Sequence, residues 1–291
     1  MGNIRQSTVE RLTGESERFV NARSKAMEKD LERWLIRFAQ SEARKMIKEN
    51  IDNFRKIQKP GSVIEPPRRS DDQVLYEDLK TILLKHGVRT LADSANENAG
   101  QEIISQDMIA DVAERRLPKI QWFYSWANGK DERSRNIITQ TKNEVREVIG
   151  DLIHYGMREQ PRPAMSEMAR RIRNTLYSGP EKDKVHHFGP SRAALIARTE
   201  IGIDEAVGEA EGYLATSKDN DRIRWIARSG SNHRHGRLNG VSISVSDIRG
   251  SPDNWFKGPL KRPMRYPKDP LGDIGDIANC LCAKAKVSAR L

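Results

Sequence analysis

Cysteine is scarce: the 291 residues hold two, Cys280 and Cys282, one residue apart. Such a pair cannot staple a domain, so a disulfide framework is excluded and a reducing compartment is expected during synthesis. Aromatic residues make up 6% of the chain and charged residues 32%, which predicts solvated helices around modest cores. No apolar run approaches the ~20 residues that span a bilayer, so no membrane partner is expected. Met1–Ser7 carries no apolar segment of the kind a signal peptide needs. The G-x-x-x-x-G-K-[ST], G-x-S-x-G and H-E-x-x-H patterns are all missing, which removes the phosphate loop, the nucleophile elbow and the zincin helix. No enzyme is expected.

Glutamate is missing as well beyond Glu211. From Ser217 to Leu291 there are fifteen Lys and Arg against seven Asp, so a surplus of eight positive charges accounts for most of the net +10. Charge so placed favours a polyanionic neighbour through phosphate neutralisation, most simply double-stranded DNA bound without sequence preference. Arg222, Arg224, Lys257, Lys261, Arg262 and Arg265 are the candidate contacts. In the stretch Trp255–Pro267 the cations interleave with aromatics, as stacking on nucleic acid requires. The competing reading is a solvated surface without a partner.

Apolar residues recur at steps of three and four from Phe19 to Ile57, with no Pro or Gly until Pro60-Gly61. That predicts one helix over residues 15–58. At ~1.5 Å per residue it is ~60 Å long, too long for a small domain to bury, so it should pack on another helix or on a partner subunit. Residues 59–70 read as a linker or extended arm. A helix should run from Asp71-Asp72 to Gly87 and a further one over about 88–115. The aromatic knot Trp122–Trp126 lies before Asn128-Gly129, and residues 131–157 form another helix. After Pro190 a helix runs from Ser191 to Ala215. Its Gly202, Gly208 and Gly212 call for close backbone contact, expected with the sheet that follows.

The period then changes to two. Arg222–Arg228, Val241–Val245 and Cys280–Val287 alternate as strands. The predicted fold class is α+β: an all-α N-terminal region with a long helix over 1–130, then a small module with an antiparallel sheet over 131–291.

Two side-chain constellations carry chemistry. His233-x-His235 and Cys280-x-Cys282 each place two metal-ligand residues on one face of a strand, so a structural Zn²⁺ could be held by His233, His235, Cys280 and Cys282. Packing and turn roles for the same four residues are the other reading, with no cofactor. Glu200 and His235 could serve as an acid/base pair beside Arg198 or Arg234, which with the Cys pair gives a metal-dependent, nuclease-like alternative.

These residues also resemble a family. Ala197-Arg198-Thr199-Glu200, the strand residue Trp225, His235-Gly236-Arg237-Leu238-Asn239-Gly240, Tyr266-Pro267-Lys268-Asp269-Pro270 and Asn279-Cys280-Leu281-Cys282 follow one another here. Motifs of these types occur in the same order in the phage Mu F-like minor head proteins, also called phage head morphogenesis proteins. The resemblance covers about residues 135–288. Its motif positions include Arg198, Thr199, Glu200, Trp225, His235, Gly240, Pro267, Cys280 and Cys282. Leu281 stands where the family usually has a polar residue, and Asn239 where Asp is commoner. The resemblance implies a non-enzymatic virion protein, inside the phage head near the portal and in the host cytoplasm during assembly. Its expected partners are the portal protein, other head proteins and packaged DNA; the long helix, outside the resemblance, is separately expected to make oligomer contacts. Its expected roles are head morphogenesis and genome packaging or ejection.

Overall fold

The computed structural model describes residues 6–58, 70–113, 120–158, 190–228, 234–278 and 280–288. The chain is mostly helical, with a small antiparallel sheet near its C-terminus, so it is an α+β protein. The helices are α1 (Gln6–Gln58), α2 (Ser70–Ala99), α3 (Gln106–Ala113), α4 (Gln121–Arg158) and α5 (Pro190–Thr216). There follow β1 (Arg222–Ile226), β2 (Ser242–Ser244), α6 (Val245–Arg249), β3 (Phe256–Lys257), β4 (Pro263–Met264), α7 (Ile274–Ile277) and β5 (Ala283–Val287). Among the described residues, no helix is long and apolar enough to cross a membrane.

The chain divides into two compact units, each assembled from separated stretches. One takes residues 1–27, 83–129 and 195–291; the other takes 28–82 and 130–194. The second unit buries Leu31, Trp34, Phe38, Leu75, Leu79 and Val145. Trp34 stacks on Phe38 and donates its indole N–H to the Leu75 carbonyl at 2.7 Å, so its one polar atom is satisfied inside the core. Buried Glu42 accepts from Arg146 and Lys45.

In the first unit the core runs without a break from Leu84, Val88 and Leu91 on α2 through Phe123 and Trp126 on α4 to the sheet residues Ile223 and Trp225. The sheet order is β2-β1-β5, antiparallel throughout. Ile223 pairs with Ile243 and Lys286, and Trp225 with Lys284.

Several boundaries differ from the sequence expectation. The helix expected to end at Gly87 continues to Ala99, because a side chain at 87 would meet Asp204 and Trp126, and glycine lets the helices close there. It stops instead at Gly100, whose φ of 67° suits glycine. The helix expected over 131–157 begins already at Gln121, so Asn128-Gly129 lie within it. One helical Gly costs ~1 kcal/mol against Ala, less than the burial of Phe123 and Trp126 on the same helix contributes. Gly208 and Gly212 do approach another backbone closely, but it is the Leu91–Asn98 stretch of α2 and not the sheet. At Gly202 a side-chain carbon would only touch the Lys268 stem at ordinary contact distance, so no close approach requires glycine there. The expected strands are shorter: β2 gives way at Val245 to α6, whose capping box joins Ser244 and Asp247, and β5 begins only at Ala283. The Pro-rich stretch at 59–69, the segment 159–189, His233 and Asn279 lie outside the described residues.

Candidate metal centre and basic face

The turn after β1 shows why an H-x-x-L-N-G sequence is used. His235 points inward and is fully buried, and Leu238 fills the core. Asn239 Oδ1 accepts from the Ala227 amide at 3.1 Å, just past the end of β1. Gly240 takes a φ of 80°, and its N–H reaches the Trp225 carbonyl at 2.8 Å. The turn is thereby clamped to the strand, and His235 lies against the Trp225 ring, edge to face at 5.2 Å.

Cys280 and Cys282 meet His235 from the other end of the sequence. Cys280 Sγ and Cys282 Sγ each lie 3.5 Å from His235 Nδ1. The expectation that both Cys sit within a strand is corrected: they precede β5, outside any helix or strand. The convergence stands by a different route, since the Cys280 amide donates to the Ile277 carbonyl at 3.1 Å and ties the pair to α7. The Cys282 S–H, joined by His235, holds Cys280 well below the usual thiol range against burial, and the Cys280 sulfur together with burial pushes Cys282 up.

Sequence reasoning missed Asp276. Its carboxylate is 1% exposed. Oδ1 faces His235 Nε2 at 3.6 Å, and Oδ2 accepts from the Leu260 amide at 3.2 Å. Glu200, offered above as the acid/base partner of His235, is buried on α5, and the carboxylate facing the ring is that of Asp276. The spacing from Asp276 to Cys280 was visible in the sequence, but α7 is too short for apolar periodicity to announce it. Arg234, the suggested anion clamp, donates to the Gly275 and Ala278 carbonyls at the end of α7.

A small cleft of about 110 Å³ opens beside Cys280, lined also by Ser16, Asn21, Arg198, Lys268 and Leu281. Lys268 is buried, with a left-handed φ of 64°, and its ammonium reaches Glu205 at 3.1 Å and Ser16 at 3.2 Å. Burial opposes its charge, but Glu205 and the Cys280 sulfur outweigh that and raise its pKa.

The basic candidates separate into two kinds. Arg222, Lys257, Lys261 and Arg262 are exposed, and Arg224 is half-buried, on the β1 face opposite Ile223 and Trp225. Arg265 is turned into the fold: its guanidinium lies 3.0 Å from Asp269 and 3.5 Å from Glu211, over the Tyr266 ring. The charge of Arg265 opposes its burial and is held by Tyr266, Asp269 and Glu211. Its charge is engaged within the fold.

No family model, no curated protein and no solved structure matches the chain.

Proposed function

We propose that this chain is a minor structural protein of a tailed-phage head, associated with the portal and packaged DNA and acting in head morphogenesis and genome packaging or ejection. The observation that carries the reading is that the motifs behind the resemblance each have a definite place in one compact unit. Trp225, Tyr266, Cys280 and Cys282 belong to its core. His235 is packed on Trp225, and Gly240 closes the turn onto the same strand. In the Tyr-Pro-Lys-Asp-Pro loop, Asp269 receives the Arg265 and Leu271 amides at 2.7 and 3.1 Å. Short matches arising by chance have no reason to share one core.

The exposed Arg222, Lys257, Lys261 and Arg262 support a DNA-facing surface. They lie on a strand and a β3–β4 hairpin, not on one helix fitted to a groove, so they suit phosphate contact without base reading. The long α1 supports a helical contact with the portal, other head proteins or a second copy. The reading assigns the chain no reaction and places it in the head interior after assembly in the host cytoplasm.

The test is protein mass spectrometry of purified heads from a phage carrying an epitope-tagged copy. The tag is expected in mature heads at a few copies each and at lower occupancy in heads made without the portal. Heads free of the tag, with the protein retained in the lysate, would refute the reading.

A further inference from the structure

The geometry points to a zinc ion held by His235 Nδ1, Cys280 Sγ and Cys282 Sγ, with the Asp276 carboxylate positioning the imidazole. With zinc–sulfur bonds of about 2.3 Å and zinc–nitrogen bonds of about 2.0–2.1 Å, sulfur and nitrogen ligands of a tetrahedron lie about 3.6 Å apart. Both sulfurs stand 3.5 Å from the same His235 nitrogen. All three ligand atoms lie within 4.8 Å of one another. A neutral imidazole nitrogen has one in-plane lone pair and accepts one S–H. Two sulfurs at equal range from it outline a face of a coordination tetrahedron.

The surroundings fit a metal as well. A ligating histidine donates its other ring N–H to a carboxylate or carbonyl, and that partner sets the tautomer. Asp276 Oδ1 faces Nε2 at 3.6 Å, while its Oδ2 is held by the Leu260 amide. With the proton on Nε2, the Nδ1 lone pair is aimed at the two sulfurs. Gly258 is part of this arrangement, since a side chain there would strike the Asp276 carboxylate. Two thiolates and an imidazole select zinc over magnesium or calcium, which prefer oxygen. With both sulfurs as thiolates, the two Cys and the neutral imidazole balance the charge of one Zn²⁺. A water would complete the tetrahedron as fourth ligand. The ion would tie the His235 turn to the Cys pair 45 residues on, a cross-link available where disulfides do not persist.

The full chain, expressed with zinc and purified under reductant, should carry one zinc per chain by elemental analysis. Cobalt in its place should give a thiolate-to-metal charge-transfer band and the intense visible bands of a four-coordinate site. Cys282→Ser should abolish both. That variant could fail to fold, so Asp276→Asn is the second arm: it keeps all three ligands, and its zinc affinity should fall roughly 10–100-fold in a chelator competition. Wild type reconstituted with zinc under reductant that holds no stoichiometric metal and shows no charge-transfer band with cobalt would overturn the site. An Asp276→Asn affinity equal to wild type would overturn the positioning role.

Discussion

The indole N–H of Trp126 on α4 donates to Asp204 Oδ1 on α5 at 2.7 Å, inside the core of the first unit. The same carboxylate occupies the space that a side chain at Gly87 would fill. Three helices therefore close on one buried polar contact. Gly87→Ala should destabilise the protein by about 1–3 kcal/mol through overpacking. Trp126→Phe removes the indole donor from a buried carboxylate and should cost roughly 1–3 kcal/mol. Urea unfolding checks both, as a lower midpoint at unchanged slope. A Gly87→Ala midpoint equal to wild type would show that the helices can part without cost.

Asp131 anchors a polar network in the second unit. It accepts from the Tyr76 hydroxyl and lies 2.7 Å from both Lys80 and Arg135. Burial pushes its pKa up, but the hydrogen bonds from Lys80 and Tyr76 and the charges of Lys80 and Arg135 outweigh that and bring it below the ordinary value. A carboxylate depressed in the folded state contributes stability above the unfolded value of about 3.9, lost as pH falls through the folded one. Asp131→Asn should therefore be less stable than wild type at neutral pH by up to about 1 kcal/mol, given the partial exposure of the network. The gap should close as the pH is lowered below about 4. Paired urea titrations across that range measure it; a gap that widens on acidification contradicts the assignment.

Arg265 and its neighbours offer a test of stability that the basic face does not. Arg265→Met leaves Asp269 and Glu211 in the fold without their cation, and breaking a buried pair costs about 3–5 kcal/mol. Thermal and urea unfolding should show a loss at or somewhat below that range, because the guanidinium is partly exposed. A near-neutral result would mean that Asp269 is held by the loop amides alone.

The exposed cations should behave in the opposite way. Charge reversal at Lys257, Lys261 and Arg262 should leave the unfolding midpoint within about 0.5 kcal/mol of wild type, as for ordinary surface positions. It should weaken DNA binding equally for unrelated duplexes. Wild-type affinity should lie at about 10⁻⁴–10⁻⁶ M in physiological salt and fall steeply as salt rises, and the triple variant should show a flatter salt slope. A salt titration of the full chain against two unrelated duplexes gives both readings. Strong preference for one duplex, or no binding at low salt, would refute a phosphate-contacting face.

What the sequence by itself determined follows from periodicity and local chemistry. The step of three and four in α1, the change to a step of two at Arg222, and the Leu-Asn-Gly turn act over a few residues, so the α+β class and the antiparallel sheet were legible. So was the pairing of His235 with the two Cys, because few other residues in the chain are suited to that chemistry. The remainder depends on contacts distant in sequence. Gly87 reads as a helix end until Asp204 and Trp126 are seen to fill the space beside it. Arg265 reads as one more surface cation until Glu211, 54 residues earlier, is found beside its guanidinium. Asp276 reads as an ordinary polar residue in a helix of four until its oxygen is placed against His235. Local pattern records which face of a segment is apolar; it does not record which buried charge meets which partner, as Asp276 meets His235 here.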